Sequence, residues 1–373
     1  MKSLTHIHRN ISVAFALLIL ALSLSSTPWT AKGSSDTPAA SGTLAVLPQI
    51  IPTSTIPSNG DVNPYGVAFV PTGFPQTGTI QAGDILVSNF NNSGNLQGTG
   101  TTIVRRTQNG QASLFFQGTG LGLTTALGVL KKGVVLVGSV PTTDGTAATL
   151  KQGALLVLSD TGQLVATLTD STTLDSPWDL TILDKGDKAT VYVSNVISGT
   201  VSRLDIKIKK GNVTVLTKTQ IGSGYLTAPN AAALVVGPTG LALDSANDIL
   251  YVASTGDNAI YAIDHASTAA SSSGKGTLIY SDNTHLHGPL GLVLAANGDL
   301  ITSNGDAINA DPTQPSEIVE FTTTGAFVTQ FQLDPTQGGA FGIALESIGN
   351  GFAQCAAVDD VPNTLLTWIV RTN

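Results

Sequence analysis

Apolar residues in this chain fall in short runs of strand length, separated by turns rich in Gly, Asn and Asp. The clearest stretch is 237–264 (GPTGLALDSANDILYVASTGDNAIYAID), with apolar runs over 240–243, 249–253 and 259–263. Such runs read as β-strands and such breaks as tight turns. A fourth run, 277–280, follows a Ser-rich stretch, so the unit predicts a four-stranded antiparallel meander. Four strands per unit is the size of one propeller blade.

The unit recurs. Its first strand begins with Pro or Ala, any residue, then Gly, at Pro64-Tyr65-Gly66, Ala126-Leu127-Gly128, Pro238-Thr239-Gly240, Pro289-Leu290-Gly291 and Ala340-Phe341-Gly342. Pro177-Trp178-Asp179 fills the remaining slot with Asp in place of Gly. Successive third positions lie 62, 51, 61, 51 and 51 residues apart, the spacing of a repeat architecture with six copies. Second strands such as 84–88, 134–139 and 190–194, and fourth strands near 112–116, 164–168, 213–217 and 327–331, keep this register. The sixth copy ends after its third strand, whereas an apolar run at 43–51 (TLAVLPQII) precedes the first copy. If that run supplies the missing outer strand, no blade is left with a bare edge. The expected fold is therefore all-β, a six-bladed β-propeller of four-stranded antiparallel blades over 43–373, closed by an N-terminal strand.

Composition agrees. Gly makes up 40 of 373 residues and charged residues 11%, which suits many short strands joined by tight turns. A hydrophobic share of 42% with 5% aromatics points to an aliphatic core rather than a disordered chain. With 25 acidic and 17 basic residues the net charge is −8, which gives a phosphate backbone little to bind, so no nucleic-acid partner is expected.

Lys2 and Arg9 precede an apolar run at 11–24 followed by small and polar residues, the layout of a secretory signal peptide over 1–27. That run is short of the roughly 20 residues that span a bilayer, so membrane attachment is expected only if the segment stays uncleaved. Without it the chain has 15 basic and 25 acidic residues, a net charge of −10. Residues 28–42 read as a disordered leader. The single cysteine, Cys355, lies in an apolar context and is expected to be a small buried hydrophobe. An exported product, secreted or held in the periplasm or cell envelope, follows from the N-terminus.

The pattern PxGLAxD followed by LYVAxTGxNxI, carried best by 237–264, resembles the NHL-repeat family of six-bladed β-propellers. Asn258 is followed by Ala259 where the NHL turn often has a basic residue, so the nucleic-acid binding of some NHL domains is not implied.

The sequence has no nucleophile elbow, Walker A loop, HExxH or EF-hand loop. Candidates come from position instead, because loops on one propeller face often carry function. Asn89, Asn195 and Asn304 each follow a Ser at the end of a second strand. They cap turns, or they form a ring of amide oxygens aimed at a polar ligand or a hard cation such as calcium. Asp179 replaces a repeat glycine, and His287 lies just before Pro289 on the same expected face. The loop 89–101 (NFNNSGNLQGTGT) supplies hydrogen-bonding groups on that face, whereas 265–276 (HASTAASSSGKG) reads as flexible linker on the other.

Two function classes stay open. The first is an exported, non-catalytic propeller that binds a protein, a glycan or a small polar ligand on its top face. The second is a calcium-dependent propeller hydrolase or lactonase, in which a channel metal polarises a carbonyl. The first is preferred because no acid, base and nucleophile can be assembled. Accordingly no cofactor is expected beyond weak calcium.

Overall fold

The computed structural model describes residues 42–45 and 51–372. The expected signal peptide, and the expected leader up to residue 41, lie outside the described residues. Among the described residues, 26 strands form six four-stranded antiparallel sheets and one two-stranded hairpin. The inner strands of the six blades are Val62–Phe69, Leu123–Leu130, Pro177–Asp184, Pro238–Asp244, Pro289–Leu294 and Ala340–Gly349. Each touches the next round the axis, and the sixth returns to the first. The fold is the expected six-bladed propeller.

Closure is made by a different piece of the N-terminal run. The outer strand of the sixth blade is Ile51–Ser54, which pairs antiparallel with Thr364–Arg371 from Ile51 opposite Thr367 to Ser54 opposite Thr364. The expectation of a strand over 43–51 is corrected to this extent. Thr43–Ala45 forms a 3₁₀ turn instead. The reason is a buried carboxylate far along the chain: Glu320 accepts from the amides of Thr43 (2.6 Å) and Leu44 (2.8 Å). Leu44 packs beside Ile318, Phe331 and Trp368 between the fifth and sixth blades. Pro52 is tolerated because the strand is an edge and its outer side needs no donor.

Every inner strand breaks register at its start, between Pro64 and Val67, Leu123 and Leu127, Pro177 and Asp179, Pro238 and Leu241, Pro289 and Leu292, and Ala340 and Ile343. These β-bulges are what the Pro-x-Gly motif encodes. At Gly342 a Cβ would lie 2.2 Å from the carbonyl oxygen of Tyr65, and at Gly240 2.4 Å from that of Leu290, so the bulge glycine allows neighbouring blades to approach. In the second blade Leu127 pairs with Val137, which puts Ala126, not Gly128, at the bulge position. The repeat reading of that copy is two residues out of register, and its bulge holds one residue more than those of the first and fourth blades.

Hydrogen bonds fasten blade to blade at the same level. Ser88 Oγ accepts from the amide of Gly66 (2.9 Å) and donates to the carbonyl of Thr124 in the next blade (2.8 Å). Ser194 accepts from Asp179 (3.0 Å) and donates to Thr239 (2.7 Å), and Ser303 repeats the pattern with Gly291 and Phe341. In the second and fourth blades Thr124 and Thr239 make the forward bond, to Pro177 and Pro289. Six apolar clusters fill the gaps between successive blades, and a seventh lies on the axis.

The stretch 265–276 is not a free linker. Arg203 donates to the carbonyls of Ala266 and Ala269, the amide of Ser223 donates to Gly274, and Ser273 donates to Ile221, so the segment covers the outer strand of the third blade.

Candidate binding site on the top face

At four of the six inner-strand starts the middle residue turns into the axis. Tyr65, Trp178, Leu290 and Phe341 meet there with Phe90, Val140, Val196, Leu234 and Val235. Tyr65 stacks on Phe90 at 4.7 Å between centroids and lies 4.8 Å from Phe341, while Phe90 meets Trp178 edge-on at 5.5 Å. Trp178 is wholly buried. This aromatic layer plugs the channel, and burial raises the Tyr65 phenol well above its ordinary range.

Above the plug lies a cavity of about 360 Å³. Its floor is Tyr65, Phe90 and Phe341. Its wall comes from top-face loops of several blades and includes Asn63, Asn91, Gln97, Asp306 and Asp360. The loop between the second and third strands of the first blade is ordered by its own amides. Asn92 Oδ1 accepts from Gly94 (2.9 Å) and Leu96 (3.2 Å), and Asn91 Nδ2 donates to Asn95 Oδ1 (2.7 Å). Asp306 adopts a left-handed backbone (φ 54°), and its Oδ2 accepts from Ser316 and Gly338, both at 2.9 Å. Burial raises the Asp306 carboxyl above its usual range and pushes Asp360 up to about 6.

Below the plug the channel widens into a second space, also about 360 Å³, lined by Val67, Leu127, Leu180, Leu241, Leu292 and Ile343 among others. Asp179 faces this lower space. Its Oδ1 accepts from Leu180 (2.8 Å) and its Oδ2 from Leu241 of the next blade (3.2 Å). The carboxyl keeps a window onto the channel, but protein surrounds it, and burial pushes it up to about 7 against those two bonds.

The other sequence candidates lie apart from Asp179. Asn89, Asn195 and Asn304 are fully buried inside the first, third and fifth blades. Each ties its blade's second strand to the loop leading into the inner strand: Asn89 donates to Thr55, Asn195 to Thr173 and Asn304 to His285. Asn304 and His287 are brought together, since Asn304 Oδ1 accepts from the His287 amide at 3.0 Å. His287 is buried, its Nδ1 lies 2.6 Å from the carbonyl of Asn309, and its Nε2 has no partner among the described residues. Glu317, which accepts from Asn304 Nδ2 at 3.3 Å, is pushed up to about 7 by burial. None of the five lines the upper cavity. The sequence signal that did reach it was the loop 89–101, which supplies Phe90, Asn91, Asn95 and Gln97. Asp306 and Asp360 were not singled out, because nothing local marks them. Among the described residues, no group of three or more His, Cys, Asp and Glu side chains could hold a metal ion.

No family model and no curated protein matches the chain. Solved structures do match it. A luciferin-regenerating enzyme is 11% identical, with a TM-score of 0.52 over 87% of this chain and 95% of that one. A putative oxidoreductase (glucose dehydrogenase) of Thermus thermophilus is 12% identical, with a TM-score of 0.52 over 86% of this chain and 100% of that one. Regucalcin of Agrobacterium tumefaciens, described as a calcium-binding protein, is 12% identical, with a TM-score of 0.52 over 86% of this chain and 95% of that one. At such identity the likeness shows the propeller fold and nothing finer.

Proposed function

We propose that the chain is an exported, non-catalytic propeller of NHL type whose top-face cavity binds a small polar ligand, a glycan unit first among them. The observation that carries this reading is the cavity itself: an aromatic floor under a wall of amides and carboxyls. Side chains of this mix hold a ligand that has both an apolar face and many hydroxyls. Export is supported by the basic-then-apolar pattern of residues 2–24, and the NHL assignment by the repeat at 237–264. The acidic balance speaks against a nucleic-acid partner.

Titration of the purified chain with a panel of mono- and oligosaccharides tests the reading. Phe341→Ala should weaken any binding about tenfold, the value of one lost aromatic contact, with an unchanged far-ultraviolet spectrum. Failure of the wild type to bind any saccharide of the panel at millimolar concentration would sink the glycan reading.

The alternative is a calcium-dependent hydrolase or lactonase. It rests on the axial carboxyl of Asp179 and on the likeness in fold to a protein described as calcium-binding. Against it, the plug separates Asp179 from the upper cavity, and the three Asn amides are engaged within their blades.

A further inference from the structure

The connection from the third blade to the fourth, 224–237, is longer than its counterparts 118–122, 169–176, 281–288 and 333–339, and it contains the two-stranded hairpin of Ala228–Asn230 and Leu234–Val236. In a ring of six blades this connection and the first blade lie on opposite sides of the axis. The hairpin nevertheless reaches the first-blade loop, where Gln97 Nε2 donates to the carbonyls of Ala231 (3.3 Å) and Ala232 (3.2 Å). It reaches the fifth blade through Asn230 Nδ2, which donates to the carbonyl of Ala307 (3.0 Å). It therefore spans the top of the axis. Ala232 and Ala233 line the upper cavity, and Leu234 and Val235 join the apolar layer that contains Phe90 and Trp178.

The hairpin is lightly fastened. At one end the Leu226 amide donates to Asp257 (3.1 Å), and at the other the Gly237 carbonyl accepts from Thr255 (2.9 Å). Between these anchors, among the described residues, only the Gln97 and Asn230 side chains tie it to the rest of the chain by hydrogen bonds. Its two strands pair over three residues each. A segment with so few bonds to its surroundings opens at a lower free energy than the blades beneath it.

Its backbone also stores strain. The Val235 amide donates to the carbonyl of Ala233 (2.6 Å), which closes a three-residue turn around Leu234, and Leu234 has a left-handed φ of 63°. That conformation is unfavourable for a bulky side chain, and such tight turns with positive φ are rare. Contacts with the layer below, together with the two side-chain bonds, hold the hairpin down against this strain.

We propose that residues 227–236 form a lid over the top of the axis, latched by Gln97 and Asn230, that opens without unfolding of the blades and gates the upper cavity. Opening lifts Ala232 and Ala233 from the cavity wall and withdraws Leu234 and Val235 from the layer below. The gating role rests on the reading of that cavity as a binding site; the opening itself does not.

The test is thiol labelling of the full, ligand-free chain carrying Val235→Cys, with iodoacetamide and with each site read by peptide mass. Val235 is buried under the lid, and the native Cys355, buried in the sixth blade, is the internal control. The thiol at position 235 should react at least about tenfold faster than Cys355, and Gln97→Ala should speed it about fivefold more without moving the rate at Cys355. Equal rates at the two sites, or an effect of Gln97→Ala that is absent or the same at both, overturns the lid. Because the new thiol can itself loosen the hairpin, hydrogen exchange in the unsubstituted chain is the second measurement. Exchange over 227–237 as slow as over the inner strand Pro238–Asp244 overturns the lid whatever the thiol shows. Gating is read from Asn230→Ala, whose side chain does not line the cavity: it should speed saccharide association about fivefold, and an unchanged rate removes the gate. If the lid opens and no saccharide binds, the glycan reading falls while the lid stands.

Discussion

Two spaces of similar size lie on one axis, but all six inner strands line the lower one whereas only the first and the sixth reach the upper one. The upper cavity is walled by loops, with amides, two carboxyls and an aromatic floor. The lower channel is walled by strand interiors, almost all aliphatic, with Asp179 facing in and Glu346 also on the lining. What separates them is the middle residue of the Pro-x-Gly start. Where that residue is Tyr65, Trp178, Leu290 or Phe341 it turns into the axis. The repeat thus determines where the channel closes, and the loops determine what can be bound above the closure.

The sharpest way to break that division is to remove the plug. Trp178→Ala deletes a wholly buried indole that touches Tyr65 and Phe90, so the two spaces should merge. Loss of such a side chain costs about 3 to 5 kcal/mol, because the ring of blades cannot collapse into the void. Denaturant unfolding should show it. A loss below about 1 kcal/mol would mean that the plug is not a packed layer, and the contrast between upper and lower spaces would lose its basis.

The two spaces were unequally legible in the sequence. Four plug residues, Tyr65, Trp178, Leu290 and Phe341, occupy the variable position of the repeated motif, but nothing in the motif marked that position as axial, and Phe90, Val140, Val196, Leu234 and Val235 lie outside it. What failed was non-local. The apolar run 43–51 looked like one strand, but Glu320, 277 residues beyond Thr43, claims the amides of Thr43 and Leu44 and leaves pairing to Ile51–Ser54. The Ser-Asn pairs were visible as a pattern. That the Ser would bridge blades and the Asn would anchor the loops before inner strands depended on partners in other segments. Asp306 and Asp360 reach the upper cavity from loops of the fifth and sixth blades, and only the closed ring brings them near the 89–101 loop.

The lower space can be probed through its acid. Asp179 rises from an ordinary 3.8 to about 7, so between those values the folded chain holds a proton that the unfolded chain has lost. Stability from this group is therefore complete below about pH 4 and lost as pH rises through about 7. The displacement is worth at most about 4 kcal/mol, and less where water enters the channel. Glu317 and Asp359, both pushed up to about 7, slope the same way, so the variant must be compared with the wild type across pH. Asp179→Asn, which resembles the protonated acid, should match the wild type below about pH 4 and exceed it in stability by a margin that grows from pH 5 to about pH 7. A constant difference between the two proteins from pH 5 to pH 8 would show that the carboxyl titrates as it does in water.

The smallest expected effect concerns calcium. A calcium site wants six to eight oxygens, several of them carboxylate, within about 2.6 Å. Asp179 lies below the plug with both oxygens already accepting amide protons, while Asn89, Asn195 and Asn304 lie inside three separate blades with their amino groups engaged. No movement short of unplugging the axis would gather these donors round one ion. Millimolar calcium should accordingly leave the melting temperature of the wild type within about 1 °C, since a ligand stabilises only in proportion to its occupancy of the folded state. A larger rise that Asp179→Asn abolishes would place calcium in the lower channel and restore the hydrolase reading. A rise that Asp179→Asn leaves intact but Asp360→Asn removes would place the ion above the plug, among the oxygens of the upper cavity.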